Sequence, residues 1–149
     1  MTEDERQILN ILASYCELQD SGDVRAVSEL FRHSHYRVHN GDSHFGFDEV
    51  YALKSRHNKV HEDGTLRTKH LTTNTIIEHL PGMNVASTRS YFVVLQATAT
   101  LPLQPVIAGR YHDLFERVDG RWRLRDRLIY GDLRGDLTNH LRDNPLDKK

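Results

Sequence analysis

Hydrophobic positions recur at helical spacing in the first third of the chain and at strand spacing in the remainder. Ile8, Leu9, Ile11, Leu12, Tyr15 and Leu18 fall on one helical side behind Thr2 and Glu5, which stand in capping-box spacing. That helix should close in the turn-rich cluster Gln19-Asp20-Ser21-Gly22-Asp23. Asp23 can cap a second helix carrying Val24, Val27, Leu30 and Phe31. His35-Tyr36-Arg37-Val38-His39 reads as a short strand stopped by Asn40-Gly41-Asp42. A third helix is predicted from Phe47 or Asp48 to about Lys59, with Val50, Tyr51 and Leu53 on its apolar side.

From Thr65 onward the pattern changes period. Thr65 to Glu78 is rich in β-branched residues, bounded by Asp63-Gly64 and Pro81-Gly82, and predicts a strand. Val85 to about Thr100 predicts a second, with Arg89, Tyr91, Val93 and Leu95 on one face. Leu101-Pro102-Leu103-Gln104-Pro105 should interrupt it, because prolines cannot donate to a central ladder. Val106 to Val118 and Arg121 to about Leu133 flank Asp119-Gly120, the strongest hairpin signal present. A polar tail follows from about 134. There Leu137 and Leu141 continue the spacing of Leu133, enough for one short helix or a lid ended by Asn144-Pro145. Helices first and a meander afterwards predict an α+β fold in one domain spanning 1–149. Three helices would pack on a curved antiparallel sheet and enclose a conical pocket.

Composition narrows the function classes. Lys plus Arg (20) balances Asp plus Glu (21), which argues against nucleic acid or a membrane surface as the partner. Cys16 is the only cysteine, so a disulfide framework and a multi-cysteine metal site are both excluded. An acidic start without an apolar run, and no membrane-length apolar stretch, imply a cytoplasmic protein. No glycine-rich phosphate loop, paired-cysteine zinc pattern or Gly-x-Ser-x-Gly elbow is present, which leaves a cofactor-independent reaction. Among the ten histidines, His33, His35, His39 and His44 cluster in sequence. At i and i+4 on a strand His35 and His39 lie ~13 Å apart, too far to share one metal ion, so surface positions are expected. Arg121, Arg123, Arg125 and Arg127 alternate along the last strand and read as one solvated or interface face.

Candidate chemistry centres on the first long strand. Thr68, His70, Thr72 and Asn74 share one of its faces, a histidine among small polar groups, as a strand lining a polar pocket would show. Asp20, closing the first helix, is the candidate partner of His70. A carboxylate on one ring nitrogen fixes the tautomer and makes the other nitrogen a better base. The plainer alternative is that Asp20 caps its own turn and His70 is a satisfied pocket histidine. Tyr36 and Tyr111 could donate hydrogen bonds to a substrate oxygen that gains charge, or be ordinary wall residues. Tyr15, one turn before Gln19, reads as core with a lesser claim on the pocket. Arg89 and Asp126 could point inward and pair across the pocket floor, either structurally or to hold an acidic ligand group.

The order of three helices, then Thr65-Leu66-Arg67-Thr68-Lys69-His70, Gly109-Arg110-Tyr111-His112-Asp113 and Asp119-Gly120-Arg121-Trp122, resembles the SnoaL-like group of the nuclear transport factor 2-like superfamily. The resemblance runs from about Glu5 to Leu133 and implies a cone-shaped α+β domain. Two members, scytalone dehydratase and hexachlorocyclohexane dehydrochlorinase, place an aspartate at the end of the first helix and a histidine on the strand after the third. Asp20 and His70 match those positions. Tyr36 resembles a tyrosine that helps hold the substrate carbonyl in the dehydratase. That enzyme's second histidine has no match in Val93-Val94-Leu95-Gln96, and its pocket asparagine is replaced by Tyr111, which argues against scytalone itself as substrate.

The resemblance therefore implies a small lyase or isomerase acting without a cofactor on a hydrophobic cyclic or aromatic compound. His70 would be its general base, Asp20 would orient it, and Tyr36, Tyr111, Tyr15, Asn74 and Arg89 are the substrate-binding candidates. The alternative is a non-catalytic ligand-binding or assembly protein, like the small subunits of aromatic-ring dioxygenases. A homodimer or higher homo-oligomer is expected through the outer sheet face, where Leu71, Ile77, Phe92 and Val94 would be too apolar to stay wet.

Overall fold

The computed structural model describes residues 1–143, so the expected Asn144-Pro145 stop lies outside the described residues. Three helices come first: α1 (Glu3–Asp20), α2 (Val24–Glu29) and α3 (Gly46–His57), with the short strands β1 (His35–Val38) and β2 (Ser43–Phe45) between α2 and α3. Four long strands follow, β3 (Thr68–Glu78), β4 (Val85–Gln96), β5 (Gln104–Val118) and β6 (Arg121–Arg134). They form one six-stranded curved sheet in the order β2-β1-β6-β5-β4-β3, in which only the β1–β6 pair is parallel. The fold is α+β as the sequence implies. No described helix is long and apolar enough to cross a membrane.

Local chemistry sets each boundary. The Thr2 side chain accepts from the Glu5 amide while the Glu5 carboxylate accepts from the Thr2 amide, which satisfies two donors that α1 would leave orphaned. Asp23 caps α2 through the Ala26 amide. β2 was not expected from the sequence, and its three residues pair only with β1 at the sheet's end. Pro105 lies inside β5 rather than before it. It sits opposite Leu95 where the β4–β5 register shifts, and such an irregularity spares the ladder a missing donor.

Bulges curve the sheet and decide which residues face the helices. Ile8, Leu12 and Tyr15 of α1, Val27 of α2, the Phe31 that follows it and Val50 of α3 pack on Ala86, Phe92, Val94, Val106, Tyr111 and Phe115. At Gly109 the Tyr130 backbone passes so close that a Cβ would meet its carbonyl oxygen at 1.8 Å, so only glycine lets β5 and β6 approach there. Asp4 ties the start of α1 to the hairpin by accepting from Trp122 Nε1 (2.8 Å) and Arg117 Nη1 (2.9 Å).

The described part of the tail is neither a helix nor free. Leu133, next to last in β6, is exposed, whereas Leu137 is buried and Leu141 is half-buried. A turn in which the His140 and Leu141 amides both donate to the Leu137 carbonyl lays the segment across the end of α3.

Candidate functional site

Asp20 is the last residue of α1, and its position is fixed by the chain that follows. Gly22 takes φ +78° and passes under Gly64, while the Leu66 amide donates to the Asp20 carbonyl (3.2 Å), so the approach to β3 runs directly past the helix end. The Asp20 carboxylate takes three donors from β3. Oδ1 accepts from Thr68 Oγ1 (2.6 Å) and His70 Nδ1 (2.5 Å), and Oδ2 accepts from the His70 amide (2.9 Å). Burial acts to raise the Asp20 pKa, but the bonds from His70 and Thr68 outweigh it and hold the carboxyl below its ordinary range. An ionised carboxylate can only accept, so the ring proton of a neutral His70 sits on Nδ1. Nε2 makes no hydrogen bond among the described residues. That is the arrangement of an oriented base.

Around this pair the cone is polar and aromatic. Tyr15 sets its ring edge-on to His70 (6.3 Å between centroids), Phe31 (5.9 Å) and Tyr111 (6.0 Å). Tyr111 also stacks on Phe92 at 4.4 Å. Burial raises the pKa of Tyr15, Tyr36 and Tyr111, with a bond to Tyr15 partly opposing it at Tyr36, so all three remain protonated donors.

Three groups that sequence reasoning missed complete the interior. Arg127 is 1% exposed, clamps Asp113 with two 2.8 Å bonds and lies over Tyr111 (3.9 Å) and Tyr15 (4.3 Å). Lys54 is 4% exposed and donates to Gln19 Oε1 (2.7 Å). Burial, then the charge of Arg127, brings its pKa down to about 7. His140 in the tail places its ring 5.6 Å from that of His70 with Nδ1 unpartnered. A second imidazole thus reaches His70 from the tail rather than from β4.

Several expectations about facing are corrected. Asn74 is exposed, in a left-handed conformation (φ +42°), and sits in the β3 bulge between Thr73 and Ile76, so it leaves the face it would have shared with His70. Arg89 is exposed and pairs with Glu78 (3.4 Å); Asp126 is clamped instead by Arg37 (2.7 and 2.6 Å), so no Arg89–Asp126 pair crosses the pocket floor. The arginine stripe on β6 breaks at the register shift opposite Leu114 and Phe115. Leu114 pairs with Asp126 and Phe115 with Leu124, which leaves Arg125 as the extra residue and turns Arg127 inward. Phe92 and Val94 face the helices, and past the β3 bulge Ile77 packs on the core. Apolar residues exposed on the outer face include Leu71, Ile76, Tyr91 and Leu114. Among the clustered histidines, His35 lies against Phe45 and His39 stacks on Tyr130. No group of three or more metal-ligating side chains converges among the described residues.

Signals for two of the missed groups were present. Tyr111 and Asp113 alternate with one residue between, so if one faces inward the other does too, and an inward carboxylate demands a cation. Lys54 stands four residues after Val50 and therefore shares its buried side.

Around the Asp20–His70 pair, Tyr15, Tyr111, Lys54 and Arg127 are all buried. Two recesses, of about 530 and 580 Å³, lie elsewhere: one beside His33, Arg37, Phe45 and Asp126, the other beside Ile77, Leu80, Met83 and Val85.

The comparisons agree with this architecture. A family model for a SnoaL-like domain matches residues 1–128. A Mycobacterium tuberculosis protein of unknown function is 26% identical and superposes with a TM-score of 0.73, over 87% of this chain and 72% of its own. A nuclear transport factor 2-like protein with a cystatin-like fold from Novosphingobium aromaticivorans is 21% identical, with a TM-score of 0.71 over 87% and 82% of the two chains. A protein from the same organism, provisionally called a scytalone dehydratase, is 18% identical, with a TM-score of 0.68 over 87% and 85%. No curated protein matches the sequence.

Proposed function

The chain belongs to the SnoaL-like family, and from that premise we propose that it is a small-molecule lyase or isomerase in which His70 is the general base and Asp20 orients it. The observation that carries the reading is the carboxylate on His70 Nδ1, which leaves Nε2 as the nitrogen able to take a proton. Nε2 would abstract a proton from a carbon beside a carbonyl or a leaving group. The C–H electron pair then forms a double bond, and either the leaving group departs with its own pair or an enolate is reprotonated elsewhere. Tyr36 and Tyr111, kept protonated by burial, supply hydrogen bonds to the oxygen that gains charge. The aromatic surround suits a cyclic or aromatic substrate, as the name of the dehydratase-like neighbour also suggests. Asp20, His70 and these tyrosines need no cofactor for that chemistry. The tail places the His140 ring 5.6 Å from that of His70, beside the proposed base.

The test is turnover of a panel of hydroxylated and halogenated cyclic compounds by the wild type and by His70→Ala. Loss of turnover in a variant that still melts cooperatively supports the base role. An unchanged rate ends it.

A second reading, a non-catalytic binding or assembly protein, is favoured by the apolar residues exposed on the outer face. It predicts no turnover in the wild type and a larger assembly in solution.

A further inference from the structure

Lys54 is a buried amine without a carboxylate partner among the described residues. Four elements surround it. From α1 come Gln19, whose Oε1 it meets at 2.7 Å, and Tyr15, whose ring centre lies 5.4 Å away. β1 contributes the Tyr36 ring at 4.7 Å. β6 contributes Arg127, a like charge already neutralised by Asp113. The tail contributes His140, whose own protonation the Lys54 charge opposes. Gln19 is in turn braced by Asn58 (Gln19 Nε2 to Oδ1, 3.4 Å). Nothing here repays the desolvation of an ammonium: one neutral amide oxygen and two aromatic faces are weaker partners than an anion. Had packing been the sole purpose, methionine or leucine would fill the same space at less cost.

We infer that Lys54 is the anion receptor of this interior, so that the substrate taken by the His70 site carries a carboxylate on its cyclic or aromatic frame. The inference rests on the reading of this interior as the substrate site. Position supports it, because Lys54 Nζ lies 5.4 Å and the His70 ring 6.3 Å from the centre of the same Tyr15 ring, so the amine and the imidazole belong to one cluster. The choice of carboxylate over phenol follows from acidity: burial holds the amine near neutrality, and a phenol with an ordinary pKa of about 10 would not give up its proton to it. A carboxylate arrives already ionised. Its arrival would restore the proton to any unprotonated Lys54, so binding above neutral pH should take up protons.

The test uses benzoate and its neutral near-isostere benzamide as unreactive probes, titrated calorimetrically into the wild type and into Lys54→Met. The wild type should bind benzoate roughly 10-fold or more tighter than benzamide, the scale of a charge-assisted hydrogen bond, and take up protons at pH 8. Lys54→Met should bind the two alike. Should Lys54→Met fail to fold, Lys54→Gln keeps a donor toward Gln19 without the charge and carries the same expectation, while Lys54→Arg should retain the preference. Equal binding of the probes by the wild type, binding of neither, or a preference that survives in the uncharged variants overturns the inference. No bond is made or broken in these titrations, so the outcome is independent of whether His70 is the base.

Discussion

Asp20 holds His70 by both its ring and its backbone: one carboxylate oxygen meets Nδ1 at 2.5 Å and the other accepts the main-chain N–H at 2.9 Å. A helix end and a strand are thereby locked in register. The carboxylate stands at the unfavourable, negative end of the α1 dipole, and three donors from β3 offset that.

Asp20→Asn separates orientation from charge. The amide has one acceptor oxygen in place of two and must turn its NH₂ toward a donor, so the Nδ1 proton loses its partner and the Nε2–H tautomer is favoured. We expect turnover to fall ~10²–10⁴-fold and stability to fall by about 1–3 kcal/mol, read by initial rates and by urea denaturation. The folded-state pKa of Asp20 is depressed, so its stabilisation is present above the unfolded value of 3.8 and is lost as pH falls through the lower folded value. The variant should lack that part of the acid transition.

Gly22→Ala tests the same junction without touching a polar atom. At φ +78° a side chain is strained, and its Cβ would stand 2.2 Å from the Gly64 carbonyl oxygen, which is backbone and cannot rotate away. The loop leading into β3 must shift, and Asp20 shifts relative to His70. The expected result is a loss of about 1–3 kcal/mol together with a drop in turnover larger than that loss explains. Unchanged turnover in a destabilised but folded variant would show that the junction does not set the geometry.

Much of the fold was legible because each element carries its own local signal. The α1 capping box, the Asp23 cap and the Asp119-Gly120 hairpin all stand where the sequence indicates. The contact between Asp20 and His70 was legible because both lie near element ends, upstream of any bulge. Facing beyond a bulge was not. One extra residue inverts the alternation, and whether a strand carries one depends on its neighbours rather than on its own residues. That single effect hid Arg127 among surface arginines, put Asn74 on the pocket side and assigned Ile77 to the outer face. Phe92 and Val94 were a different failure: with Arg89 expected inside, their strand was read from the wrong side.

Asp113 and Arg127 stand or fall as a unit. Both are buried, at 1% exposure each, with one bidentate clamp between them. Asp113→Asn leaves the guanidinium with no counter-charge and should cost about 3–5 kcal/mol, whereas Asp113→Leu with Arg127→Met should recover much of it. Urea midpoints of the two variants decide this. A double variant no more stable than Asp113→Asn would show that Arg127 stabilises through Tyr15 and Tyr111 instead.

Tyr91 (57% exposed), Leu71 (44%) and Leu114 (45%) lie on the outer sheet face. If copies of the chain associate there, Tyr91→Lys places a charge in the contact, and light scattering should report a smaller species than the wild type at the same concentration. A mass unchanged by the substitution would move the interface elsewhere or remove it.

Docking of the tail turns on the fate of one proton. Burial, and then the charges of His70 and Lys54, push the His140 pKa down to about 3, while nearby Asp20 pulls weakly the other way. A released tail would expose an imidazole of ordinary pKa 6.5. Between these values the released form binds a proton that the docked form refuses, so docking is strongest above about 6.5 and weakens as pH falls, by about 1.4 kcal/mol per unit. What resists is the packing of Leu137 and a set of hydrogen bonds to the turn. Lys59 N donates to the His140 carbonyl (3.1 Å), Gln96 Nε2 to the Asn139 carbonyl (2.9 Å) and Arg142 N to the His57 carbonyl (2.9 Å). Amide exchange at His140, Leu141 and Arg142, corrected for intrinsic rate, should be far better protected at pH 8 than at pH 5. In His140→Leu the difference should vanish, because no proton remains to be taken up, and equal protection of the wild type at both pH values would exclude the mechanism. Since the His140 ring lies 5.6 Å from that of His70, acid release of the tail would open the surroundings of His70. His140→Leu should remove that low-pH opening without changing the Asp20–His70 bond.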